Sequence, residues 1–284
     1  MAIATLRWSS VLCLVDQNSF MAQRYVRVQT PQGQVLYGLL KLNREVQVID
    51  APAWLGGQPT GESLAPDEYQ LLAPCAPSKI VAVGHNYAAH AAELQQPIPS
   101  EPVLFLKPPS AIVAHQQGIV YPAQCQQLEF EGELALVIGD RTRHCSEEEA
   151  HRKIWGYTIA NDVTARDLQR QDAQWTRAKG FDTFCPLGPW IVRELSPDAK
   201  LRTYVTPLGE ELPEQPDPAQ AASVQDMVFS VAKLVSYISE IMTLLPGDVI
   251  LTGTPAGVHP VRIGDRLLIT IEGIGELENP IIAP

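Results

Sequence analysis

Residues Leu128-Glu129-Phe130-Glu131-Gly132-Glu133-Leu134, continuing as Ala135-Leu136-Val137-Ile138-Gly139, decide how the rest of the chain is read. The second half is a short apolar run closed by glycine, the pattern of a buried strand. The first half alternates carboxylates with other residues. Side chains two apart on a strand share a face. The spacing therefore predicts Glu129, Glu131 and Glu133 on one face, with Phe130, Gly132 and Leu134 on the other. Carboxylates crowded in this way repel one another, and burial would raise their pKa values. Two readings stand at this point. Either the strand lies at an edge with its acidic face in water, or a cation holds the carboxylates together. All-oxygen donors suit a hard divalent ion such as Mg2+, with Mn2+ or Ca2+ as alternatives.

The whole chain has 284 residues, 45% of them hydrophobic, and a net charge of -11. This is the composition of a soluble globular protein of one large domain or two smaller ones. The negative charge argues against nucleic acid as a partner, because phosphate binding needs basic surface. It leaves an anionic small substrate open, since a metal ion and one or two local cations can dominate a pocket. The five cysteines, Cys13, Cys75, Cys125, Cys145 and Cys185, are widely spaced and contain no C-x-x-C. They read as reduced cytosolic thiols rather than a disulfide framework or zinc site. No apolar run is long enough to span a membrane, so the expected location is cytoplasmic, with no membrane partner. Residues 1–20 read as an extension, because Met21 opens a cleaner strand-like run.

Upstream of the acidic stretch, residues 21–77 read as a small β-rich domain, with strands at Tyr25–Val28, Val35–Leu40 and Glu45–Ile49. Leu71 to Pro77 reads as a linker. The remainder, residues 78–284, reads as the main domain. Lys79–Gly84 is a buried strand, and Asn86 is placed to cap a helix from Tyr87 to about Gln95. On that helix His90 and Glu93 share a face, either as a base with its orienting carboxylate or as a surface pair. Pro102 to Lys107 is a strand stopped by prolines. Downstream, Ser146-Glu147-Glu148-Glu149 looks like a capped helix start with solvated acids. The strand Ile154–Ala160 delivers Asn161-Asp162 at its end. Residues 164–179 read as a polar loop or short helix near the surface, and residues 207–220, with four prolines, as an exposed loop. Ser223-Val224-Gln225-Asp226 is placed to open the best helix, with an apolar stripe of Met227, Val231, Leu234, Val235, Ile238, Ile241 and Met242. After the strand Val249–Leu251, Thr252-Gly253-Thr254-Pro255-Ala256-Gly257 is either a tight turn or a loop whose N–H groups approach an anionic ligand.

Six motifs then coincide in order: GHNYAAHAAE, SEPVLFLKP, EFEGELALVIG, GYTIANDVTARDLQ, WTRAKGFDTFCPLGP and PGDVILTGTPAGV. Together they closely resemble the fumarylacetoacetate hydrolase family over residues 80–282, in its acylpyruvase or fumarylpyruvate hydrolase-like branch. The resemblance implies an α+β, predominantly β fold: a mixed β-sandwich roll of the fumarylacetoacetate hydrolase C-terminal type, with a small N-terminal β-rich domain. It implies a divalent ion, usually Mg2+ or Mn2+, and commonly a homodimer. By the same resemblance, Glu131, Glu133 and Asp162 are the metal ligands. His90 and Glu93 are the catalytic pair, and Lys179 is the lysine that contacts a substrate oxygen. Gln169, Thr254 and His85 are substrate-binding positions, with His85 a departure from the arginine or aliphatic residue that relatives often carry there. Glu129 supports the site without being a ligand. His115, His144, His151 and His259 match nothing and are expected at the surface.

The function so implied is divalent-metal-dependent hydrolysis of a C–C bond in a 2,4-dioxo acid of acylpyruvate or fumarylpyruvate type, releasing pyruvate and a carboxylic acid. Oxaloacetate decarboxylation and 2-hydroxy-diene-dioate isomerisation use the same metal-enolate chemistry and remain alternatives. A protein of another class, a non-catalytic binder of 2-oxo acids, is the remaining reading.

Overall fold

A computed structural model describes residues 23–284, so the expectation for residues 1–20, and Cys13 with it, lies outside the described residues. The described residues open with five strands: β1 (Arg24–Gln29), β2 (Val35–Leu40), β3 (Val46–Ile49), β4 (Pro59–Leu64) and β5 (Gln70–Leu72). Next come β6 (Ile80–Gly84), the short helix α1 (Ala88–Glu93), β7 (Val103–Lys107), β8 (Ile112–Val113) and β9 (Ile119–Val120). The acidic stretch forms β10 (Leu128–Glu129) and β11 (Gly132–Ile138), followed by α2 (Glu147–Lys153) and β12 (Ile154–Asn161). Then follow β13 (Thr164–Ala165), α3 (Arg166–Gln171), α4 (Thr176–Lys179), β14 (Cys185–Val192), β15 (Lys200–Thr206) and β16 (Gln220–Ser223). The chain closes with α5 (Val231–Ile241), β17 (Val249–Leu251), β18 (Arg266–Ile271) and β19 (Gly275–Ile282).

These strands make the predominantly β roll that the motifs implied. The main sheet runs β4-β3-β2-β1-β14-β12-β11-β17-β6-β7, with β5 added on β1 and β8 on β14. A second sheet, β16-β15-β18-β19-β9, packs against it. Between them Leu134, Leu136 and Ile138 of β11 meet Leu201, Ile269, Ile271 and Leu277, with Leu234, Val235 and Ile238 of α5 closing the layer. The opposite face of β11, Ala135 and Val137, is also buried, among Ile80, Ala82, Val249 and Leu251. A strand covered on both faces must be apolar throughout, which is why its run shows no alternation. The sheet is continuous from the N-terminal strands onward, because Tyr25 of β1 pairs with Ile191 of β14.

Several local expectations are corrected. The acidic stretch is not one strand. Backbone pairing breaks at Phe130-Glu131, so β10 pairs with β13 while β11 pairs with β12 and β17. Asn86 does not cap α1; Tyr87 occupies that position, and the Asn86 amide instead bonds the Phe229 N–H, the Phe229 carbonyl and the Thr252 carbonyl. The capping box at Ser223 and Asp226 closes only a 3-10 turn, and α5 begins eight residues later with Ser230 as its cap. The supposed linker begins inside β5, where Leu71 and Leu72 pair with β1. His115 is not on the surface: it is half-buried, with Nδ1 accepting the Glu278 N–H at 3.0 Å, and burial lowers its pKa to about 4. His144, His151 and His259 are exposed as expected. The capping box at Ser146 and Glu149 forms as read. Cys75, Cys125, Cys145 and Cys185 are buried and free. Among the described residues no helix is long and apolar enough to cross a membrane.

Candidate active site and metal centre

The register between β11 and β12 builds the centre. Gly132 faces Asn161 across the pair, so the residues just beyond them, Glu131 and Asp162, come together. Two bonds lock the junction: Asp162 N–H to the Glu131 carbonyl and Glu131 N–H to Asn161 Oδ1, both 2.9 Å. Glycine at 132 is required by space, since a Cβ there would stand 2.3 Å from Thr203 Oγ1. Glu131, Glu133 and Asp162 each present an oxygen within 4.8 Å of one another. They are 5%, 1% and 1% exposed, which rules out the solvated acidic face.

Burial at this level demands partners for every charge. Lys179, from the end of α4, donates to Glu131 Oε2 at 2.8 Å and Asp162 Oδ2 at 2.6 Å. Arg166, from the start of α3, donates to Glu131 Oε1 and Glu129 Oε2, each at 2.6 Å. Lys107, from the end of β7, donates to Asp162 Oδ1 at 2.6 Å. Segment 164–179 was expected near the surface, yet its two ends carry buried cations into the centre, leaving only its middle exposed. Glu129 bonds Arg166 and Gln127 and stays outside the triad, in the supporting place expected of it.

Among the described residues four buried carboxylates thus face three buried cations, and Glu133 is the one without a cationic hydrogen-bond donor. Its Oε2 accepts the Gly253 N–H at 2.6 Å. Gly253 has φ +98°, a conformation that glycine adopts freely. The glycine loop after β17 therefore aims this N–H at the protein's own carboxylate. Burial, reinforced by Asp162 and Glu131, holds the Glu133 carboxyl well above its usual range. Burial also pushes Glu131 upward, but Lys179, Arg166 and His90 outweigh it and hold that carboxyl well below the usual range. Lys179 is held above its ordinary value, because Asp162 and Glu131 outweigh burial. Close carboxylate oxygens, one of them with no cationic partner, fit a hard divalent ion, and this donor set could bind one through Glu131, Glu133 and Asp162.

The centre opens into a cavity of about 400 Å3. His90, 4% exposed, lines it from α1, with Nδ1 3.0 Å from Glu93 Oε2. Glu93 is itself fixed, its Oε1 accepting the Gly257 N–H at 2.9 Å. The surface-pair reading of His90 and Glu93 is therefore wrong for His90. His85 lines the cavity at φ +56°, its ring 6.3 Å from that of His90 and 6.0 Å from that of Trp175. Burial, then His90, lowers its pKa. Gln169 lines the cavity and accepts from Arg166 at 2.6 Å. Thr254 lines it too, with Oγ1 bonded to the Gly132 carbonyl at 2.9 Å and to Gln220 Nε2 at 2.7 Å.

Three supporting residues were missed in the sequence. Arg166 stands in the NDVTARDLQ motif, and Lys107 ends the SEPVLFLKP strand, where a lysine closing an apolar run was the available signal. Gln220, expected in an exposed loop, is fully buried and ties Gly132 to Thr254 and Pro255. Nothing in the residues around it announced that role.

The family described as "Fumarylacetoacetate (FAA) hydrolase C-terminal" matches residues 79–282, and that described as "Rv2993c-like, N-terminal" matches residues 23–74. The protein Rv2993c of Mycobacterium tuberculosis is 50% identical over 227 residues, 78% of this chain and 82% of that one. The mitochondrial oxaloacetate tautomerase FAHD2A of Bos taurus is 39% identical over 227 residues, 76% of this chain and 70% of that one. Among solved structures, 2-hydroxyhepta-2,4-diene-1,7-dioate isomerase from Mycobacterium marinum superposes with TM-score 0.81 at 43% identity, over 92% of this chain and 98% of that one. Fumarylpyruvate hydrolase from Pseudomonas aeruginosa, in complex with Mn2+ and pyruvate, superposes with TM-score 0.67 at 32% identity, over 76% of this chain and 92% of that one. With a family match spanning most of its length and relatives of this similarity, the chain belongs to the fumarylacetoacetate hydrolase family.

Proposed function

We propose that this protein is a divalent-metal-dependent enzyme that hydrolyses a C–C bond in a 2,4-dioxo acid, releasing pyruvate and a carboxylic acid. The observation that carries the reading is His90, held by Glu93 through Nδ1, lining the same cavity as Glu131 and Lys179. A bound Mg2+ or Mn2+ would supply Lewis-acid polarisation of the 2-oxo group and a template for the substrate carboxylate. Glu93 holds the His90 ring through Nδ1, which directs the other nitrogen to accept a proton from water. The hydroxide adds to the distal carbonyl, the C3–C4 bond breaks, and its electron pair leaves as the enolate of pyruvate, which takes up a proton. Lys179 and Arg166 offset negative charge as it develops on oxygen. Gln169, Thr254 and His85 line the space for the substrate.

A second reading is favoured by the relatives whose names state a tautomerase or an isomerase, at 39% and 43% identity against 32% for the hydrolase. In it His90 moves a proton on the substrate carbon instead of activating water. The two separate by assaying pyruvate from acetylpyruvate, fumarylpyruvate and oxaloacetate, with EDTA and then Mg2+ or Mn2+ restored. Metal-dependent pyruvate with acetate or fumarate supports hydrolysis. Metal-dependent loss of the enol absorbance of oxaloacetate, with no pyruvate from the dioxo acids, replaces it by the second reading.

Within the same proposal, Glu131→Ala weakens Mg2+ binding by more than about 100-fold, because ligand loss exceeds the 10- to 100-fold effects of supporting residues. Calorimetric titration showing stoichiometric Mg2+ at wild-type affinity would remove Glu131 from the ligand set. We further propose a cytoplasmic homodimer. Four free buried cysteines fit a reducing compartment. Among the described residues the outer strand β7 has no partner on one edge and leaves Val103 and Leu106 exposed, which calls for a cover. Light scattering that gives the mass of a single 31.1 kDa chain would rule the dimer out.

A further inference from the structure

Helix α3 sets Arg166, Gln169 and Arg170 three and four residues apart, on one face, and all three line the cavity. Their situations differ. Arg166 at the inner end is spent on Glu129, Glu131 and the Gln169 side chain. Arg170, one turn or about 5.4 Å further out, is exposed. Its side-chain hydrogen bond goes to a neutral amide oxygen, Gln127 Oε1, at 3.2 Å. Among the described residues no carboxylate forms an ion pair with it, whereas Arg177 nearby is paired with Asp172. The same cavity is also lined by Trp175 and Phe105, packed edge to face with ring centroids 5.2 Å apart. Those rings can cover a carbon chain but carry no positive charge to meet an anionic end.

We propose that Arg170 recognises a second carboxylate at the outer end of the substrate, so that the enzyme selects 2-oxo diacids over 2-oxo monoacids of equal length. The inference rests on the proposed binding of the 2-oxo acid end at the carboxylate centre. Arginine suits the task because its planar, permanently charged fork matches a carboxylate with two parallel hydrogen bonds. The chain as a whole carries -11 and repels a dianion at long range. A cation at the cavity mouth, not consumed by a protein carboxylate, offsets that repulsion where the ligand enters.

The test is calorimetric titration of the Mg2+-loaded full chain with 2-oxoglutarate and with 2-oxopentanoate, five-carbon acids that differ in the outer carboxylate. A charge-assisted pair predicts that 2-oxoglutarate binds about 10- to 100-fold tighter. Arg170→Gln removes that advantage and leaves 2-oxopentanoate unchanged, and Arg170→Lys restores part of it. Equal affinities in the native chain overturn the proposal, as does equal weakening of both ligands by Arg170→Gln. In both cases the 2-oxo acid site stands. If neither acid binds, the reading of that site fails and this inference falls with it.

Discussion

His90→Ala lowers kcat by about 100- to 10,000-fold, the contribution expected of a positioned general base, with Mg2+ affinity unchanged. The magnitude follows from placement. The imidazole is buried at the cavity wall, and its Nδ1 is held by a carboxylate that the Gly257 N–H fixes in turn. Removing the ring deletes the proposed proton acceptor but leaves Glu131, Glu133, Asp162 and Lys179 in place. Glu93→Gln is the milder companion, because an amide oxygen can still orient the ring but carries no charge to stabilise the imidazolium. Steady-state kinetics on the best substrate of the panel, with Mg2+ titrated in parallel, decides the matter. A His90→Ala enzyme with wild-type kcat would exclude His90 from the proton transfer. A variant that loses metal as well would assign the residue to the centre rather than to the base role.

Lys107→Met destabilises the fold by about 3 to 5 kcal/mol, the usual result of removing one partner of a buried ion pair. Lys107 is 1% exposed, and its ammonium bonds three oxygens: Asp162 Oδ1 and the Lys179 carbonyl at 2.6 Å, and the Val163 carbonyl at 3.3 Å. Methionine has a similar volume, so cavity formation contributes little and the loss is electrostatic. Asp162 keeps Lys179 on its other oxygen, which places the effect near the lower limit. At roughly 2 to 4 °C per kcal/mol for a chain of this size class, Tm falls by about 6 °C or more. Thermal unfolding in EDTA, where metal binding does not mask the change, measures it. A drop smaller than about 2 °C would show that Lys107 is dispensable to the junction of β7, β12 and α4.

The strands around the centre were legible because their local signals agreed with their surroundings. Ala135-Leu136-Val137-Ile138 reads as a strand closed by glycine, and it is one, buried on both faces. Val249–Leu251 and Ile154–Ala160 read equally well, since apolar runs closed by turn residues leave few alternatives. Helix starts were less legible. Asp226 accepts the Ser223 N–H at 2.8 Å, half of a capping box, but Phe229 is tied to Asn86, and the helix waits for Ser230. A capping signal specifies a turn, while its continuation depends on the packing of the residues that follow.

By itself the sequence pointed to the family through six motifs in order, and that resemblance singled out Glu131, Glu133 and Asp162 and the pair His90 and Glu93; local spacing alone left a solvated face and a surface pair open. Tertiary structure alone decided whether the acidic face is wet or buried. It also decided which cations balance it. Lys107 and Lys179 meet at Asp162 from positions 55 and 17 residues away in the chain. Which lysine stands beside which carboxylate is a property of strand register and helix placement, and neither is written in the residues next to the charge.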